Sequence, residues 1–166
     1  MSHINQNKVY EVHGSELRIG NYLNIIEPVD GYKDCHVVVV DIVNFLHREV
    51  PSNTDYLISF YSPKANTSHL DQELDLFEPI PLSREWMLKL GFEIGGVEDL
   101  EWEHPSVEGF LLAGINWADA EWPEYQFLNY RVGKDILHIH YVHQLQNLYF
   151  ALSGKELTIG GASWEL

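Results

Sequence analysis

The sequence predicts an α+β protein: a β-rich amino-terminal half, then a short helix, an antiparallel meander and a helix near the carboxy-terminal end. Three observations predict it. Through the first half and the middle of the second, apolar residues alternate or run in short β-branched stretches rather than recurring at helical spacing. Only two segments, around Trp86 and around Leu145, combine helical spacing with start and stop signals. Finally, 166 residues with 45% hydrophobic and 21% charged side chains have the size and balance of one ordinary globular domain.

Met1 to Gly14 is too polar to bury much area alone and reads as a tail. The domain then runs over 15–166, with a β-rich part at 15–80 and a helix-meander-helix part at 81–166. Leu17 to Ile26 is extended around Gly20-Asn21, a pair that favours a tight turn or bulge. Val37 to Leu46 is Val-rich and short, as expected for a buried strand. Tyr56 to Tyr61 alternates, with Tyr56, Ile58 and Phe60 on one face. Pro63 to His69 reads as a polar loop, and Pro79 and Pro81 hold the following segment extended. Several short strands in this order suggest a small SH3-like β-barrel.

Ser83 suits a helix N-cap, Trp86, Met87, Leu88 and Leu90 supply an apolar side, and Gly91 with Phe92 is a left-handed stop followed by a hydrophobic contact. The meander is expected over Phe92–Ile94, Leu100–Glu103, Gly109–Ile115, Tyr125–Val132 and Ile136–Tyr141, with a turn at Gly133-Lys134-Asp135. A last helix is expected from Val142 to Leu152, with Val142, Leu145, Leu148, Tyr149 and Leu152 on its buried face and Gly154 as its stop.

Charge narrows the function classes. Twenty-five Asp and Glu against ten Lys and Arg give a formal charge of -15, which disfavours nucleic acid and anionic membranes because both select an excess of cations. A single cysteine, Cys35, excludes an intrachain disulfide and a Cys-based zinc site. With no signal-peptide pattern and no long apolar run, a cytoplasmic location is expected.

Three islands, Leu17-Arg18-Ile19-Gly20-Asn21-Tyr22, then Glu78-Pro79-Ile80-Pro81-Leu82 with Trp86 and Gly91-Phe92, then Tyr141 to Leu152, resemble a set of short proteins found in Bacteroidetes genomes and their phages or mobile elements. That set has no assigned activity, so the resemblance implies a genetic setting rather than a reaction.

Two constellations carry candidate chemistry. Between Leu90 and Tyr130 the chain has nine carboxylates, interleaved with Trp102, Trp117 and Trp122, and no Lys or Arg. Glu98, Asp99, Glu101, Trp102, Glu103, Trp117 and Trp122 are therefore the candidate binding residues. Three readings compete: a solvated face over a Trp-rich core, an acidic surface for a basic protein, or a carbohydrate cleft with a carboxylate pair and stacking platforms. His138, His140 and His143 form an HxHxxH run. If Leu137, Ile139 and Tyr141 take the core face, His138 and His140 are left on the solvent face, so the run reads first as polar surface and only second as metal ligands.

The acids from Asp71 to Asp75 resemble a calcium loop but lack its Gly and its final Glu, and read instead as charges on an edge strand. Gln144, Gln146 and Asn147 are expected to bind backbone groups of the neighbouring β unit. No nucleophile elbow, phosphate loop or cofactor motif occurs. The sequence thus leads to a non-enzymatic intracellular accessory protein with a basic protein partner and no cofactor, with a Trp and carboxylate binding module or hydrolase as the alternative.

Overall fold

The computed structural model describes residues 12–26, 36–44, 56–95, 101–107, 111–115, 124–128 and 137–161. It is an α+β protein whose chain divides after Ile80 into two compact units, residues 1–80 and 81–166.

The first unit is an antiparallel sheet of β1 (Tyr22–Ile25), β2 (His36–Asn44), β3 (Tyr56–Ser62), β4 (Thr67–Glu73) and β5 (Phe77–Pro79), in the spatial order β4-β3-β2-β1-β5. Its entry is set by Gly20-Asn21. Gly20 takes a φ of +93°, its N–H donates to the Val39 carbonyl, and the Val39 N–H returns to the Asn21 carbonyl. The buried Asn21 side chain accepts from the Arg18 N–H at 2.8 Å, closing the turn locally so that Tyr22 and Leu23 enter the sheet fully buried.

Two irregularities bend this sheet. The β2–β3 register shifts between Val39 and Asp41. The β3–β4 register shifts at Leu70-Asp71, where Asp71 has a φ of +52° and its N–H donates to Ser59 Oγ. Bulges of this kind strengthen twist. The Phe60 ring on β3 and the Phe77 ring on β5 meet at 5.3 Å, although three flat strand spacings would separate those strands by about 14 Å. The curled face encloses Leu23, Val37, Val39, Ile58, Phe60 and Leu74.

Three expectations change here. No ladder joins β4 to β5 among the described residues, so the sheet is curled and open rather than a closed barrel. The segment read as a loop over Pro63 to His69 becomes strand from Thr67, because Asn66 adopts φ +53° and accepts from Tyr61 Oη, turning the chain back within four residues; the polar pattern of β4 hides it. The region read as a tail contributes Val12, which is 2% exposed and packs in the core beside Tyr56.

The second unit contains α1 (Arg84–Lys89), β6 (Glu93–Gly95), β7 (Glu101–Glu103), β8 (Leu111–Ile115), β9 (Glu124–Leu128), β10 (Leu137–Ile139) and α2 (Val142–Ser153). Its strands form an antiparallel meander in the order β10-β9-β8-β7-β6. Ser83 Oγ accepts the Trp86 N–H at the start of α1. At its end, Gly91 takes φ +84°, the Gly91 N–H donates to the Leu88 carbonyl and the Phe92 N–H to the Met87 carbonyl, with Phe92 and Met87 both buried. Gly154, at φ +69°, ends α2 in the same left-handed conformation.

The buried face of α2 differs from the expected one. Val142, His143, Leu145, Gln146 and Tyr149 face inward, whereas Leu148 is half-buried and Leu152 is 48% exposed. The helix is turned so that Gln146 can donate to the Leu157 carbonyl at 3.0 Å. Among the described residues no helix is long and apolar enough to cross a membrane.

Candidate functional site

The acidic stretch acquires a shape from strand register. On the edge of the second sheet, β6 and β7 pair Glu93 with Glu103, Ile94 with Trp102 and Gly95 with Glu101. Side chains alternate across a strand, so Glu93, Glu101 and Glu103 share one face, and Glu93 and Glu103 are exposed. Like charges placed directly opposite each other weaken a strand pair. Trp102 projects the other way and is 3% exposed, opposite Leu112 of β8. It is a core residue, separated by the sheet from the carboxylates on either side of it in sequence. Glu98, Asp99, Trp117 and Trp122 lie outside the described residues.

Behind this face sits a residue that sequence reasoning missed. His104 Nε2 lies 3.2 Å from the Leu90 carbonyl at the end of α1, and Nδ1 accepts the Ser106 N–H at 3.2 Å. Together these contacts fit the neutral tautomer that carries its proton on Nε2. The ring also packs edge-on against Phe92 at 4.9 Å and Tyr149 at 4.7 Å, with Tyr149 Oη 3.4 Å from Nδ1. Burial pulls the His104 pKa below the ordinary imidazole value, against the opposing pull of the Leu90 carbonyl and Glu93. The signal was present in the alternation: two positions beyond Trp102, His104 shares its inward side.

The histidine run is split. His138 and His140 are exposed while Ile139 between them is buried, and the two rings lie nearly parallel, 12° apart in plane, with centroids at 6.4 Å. His143 is fully buried in the first turn of α2, its ring stacked on Tyr141 at 5.9 Å. The three histidines therefore do not converge.

The amides of α2 do bind backbone, at other places than expected. Gln144 Oε1 accepts from the His140 N–H at 3.0 Å and the Tyr141 N–H at 3.3 Å, capping its own helix. Gln146 reaches the segment after the helix, and Asn147 is half-buried.

Among the described residues no group of three or more His, Cys, Asp or Glu is arranged to hold a metal ion. Asp71 to Asp75 belong to edge strand β4 and the 3-10 turn after it, and Asp71 and Asp75 are exposed. Comparison with known proteins finds no matching family model, no similar curated protein and no similar solved structure.

Proposed function

We propose that this protein is a non-enzymatic intracellular binding protein whose acidic β6–β7 hairpin engages a basic protein partner. Its genetic setting would be a phage or mobile element, in line with the resemblance of its three sequence islands. The observation that carries the reading is the Glu93 to Glu103 pairing on an exposed edge hairpin. That pairing costs stability in the isolated chain and is relieved when a cation from another molecule comes between the two carboxylates. The formal charge of -15 supplies long-range attraction of the same sign, which speeds encounter with a basic surface.

The test is capture of partners from a lysate of the source cells by wild type and by the Glu93→Gln, Glu101→Gln, Glu103→Gln triple variant, at low and high salt. The expected partner is basic, is lost from the variant, and is released as the Debye length shrinks from about 10 Å at 0.1 M to about 3 Å at 1 M. The same proteins retained by the variant would sink the reading. The alternative carbohydrate cleft draws no support from Trp102, whose ring is buried.

We also read the first unit as an open SH3-like half-barrel. Its support is the strand order β4-β3-β2-β1-β5, the 3-10 turn Leu74–Leu76 between β4 and β5, and the curl that joins Phe60 to Phe77. Nuclear Overhauser contacts between those two rings are expected; their absence would mean a flatter sheet.

A further inference from the structure

We propose that His138 and His140 form a two-imidazole surface site for a divalent transition-metal ion of the zinc type, independent of the acidic hairpin. Both side chains are exposed, on either side of buried Ile139 where β10 ends, and their rings lie near-parallel with centroids 6.4 Å apart. An ion bound at about 2.1 Å from each imidazole holds the two nitrogens roughly 3 to 3.5 Å apart. Rotation about χ1 and χ2 is the movement the proposal requires to bring one nitrogen of each ring to that separation.

The backbone beneath the pair is held at several points, although β10 is the edge strand of its sheet. His138 pairs with Gln126 of β9. The His140 N–H donates to Gln144 Oε1, and the His140 carbonyl accepts the Leu82 N–H at 2.8 Å. Buried Ile139 pins the strand between them. A chelating pair on so constrained a strand loses little conformational entropy on closing around an ion, which is the condition for a useful site on a regular element.

Charge favours a cation as well. The chain carries a formal net charge of -15, which draws cations toward its surface. Fully buried His143 takes no part, so among the described residues the site has two nitrogens, and water or a donor from another molecule can fill further positions.

The test is a calorimetric titration of the full chain with zinc chloride, wild type beside His138→Gln, His140→Gln and a His13→Gln control, each checked for folding by circular dichroism. Exposed imidazoles can be replaced without emptying the core, so the variants should fold. We expect one ion per chain, at least about tenfold weaker binding in each strand variant, unchanged binding in the control, and zinc-dependent shifts of the His138 and His140 ring resonances. Equal binding by wild type and the two strand variants, or no saturable binding by wild type, would overturn the proposal.

Discussion

The two units solve the same problem, fixing an antiparallel sheet, with different means. In the first, β2, β3 and β4 run nine, seven and seven residues, so long ladders and apolar packing across a curled face carry the register. Side-chain bonds to backbone there close turns, as in Asn21 to Arg18 and Ser62 to Ala65, or brace a bulge inside the ladder, as in Ser59 to Asp71. In the second, no described strand exceeds five residues. Polar side chains there also tie together segments that no ladder pairs: His104 to Leu90, Gln146 to Leu157, and Tyr149 to His104. The difference teaches that short ladders leave carbonyls at helix ends and returning segments to be satisfied by placed side chains, because a buried unpaired polar group costs more than a made bond returns.

The largest effect should separate apolar anchoring from these clasps in the second unit. Leu145 is fully buried, so Leu145→Ala should lower unfolding stability by about 2–5 kcal/mol, whereas Leu152→Ala, on the exposed side, should change it little. Equal effects in urea unfolding would mean that α2 is not anchored by the face described here.

The first unit should break next, through close approach. A Cβ on Gly14 would overlap the Tyr56 ring, so Gly14→Ala should cost near the upper end of roughly 1–3 kcal/mol. If thermal unfolding shows no loss, Gly14 does not sit against that ring. A smaller change follows from the Gln146 clasp. Gln146→Met keeps the volume but leaves the Leu157 carbonyl without its donor, for about 1 kcal/mol or somewhat more, with faster amide exchange after Leu157; exchange as slow as in wild type would show that the amide is not a tie.

His104 makes the comparison pH-dependent. Its folded pKa is depressed by burial, so as pH falls below about 6.5 the unfolded chain binds the proton first. Stability is full above that range, declines as pH falls through it, and stops declining once the folded ring is also protonated. Unfolding free energies between about pH 7.5 and 5.5 should fall more steeply for wild type than for His104→Gln; parallel profiles would remove His104 from the account. The smallest expected effect is a gain: Glu103→Gln should stabilise the β6–β7 pair by about 0.2–1 kcal/mol at low salt, fading as salt screens the repulsion. A loss at low salt would mean that Glu93 and Glu103 do not oppose each other.

Local chemistry alone determined the helix ends and the Gly20-Asn21 turn. Each depends on residues within a few positions of one another: Ser83 on Trp86, Gly91 on Leu88, Asn21 on Arg18. The alternation around Ile139 likewise placed His138 and His140 outside before any fold was known. Long-range pairing decided the rest. The acids from Asp71 mark an edge strand, but its first half, Thr67 to His69, reads as loop because it is polar, and only its ladder with β3 makes it strand. Trp102 and its flanking glutamates are neighbours in sequence and lie on opposite faces of the sheet, and the Glu93 to Glu103 opposition exists only through cross-strand register. The inward turn of α2 is settled by a carbonyl eleven residues beyond Gln146. Periodicity ranks side chains by apolarity, whereas burial in the folded chain also goes to a polar group that finds its partner there.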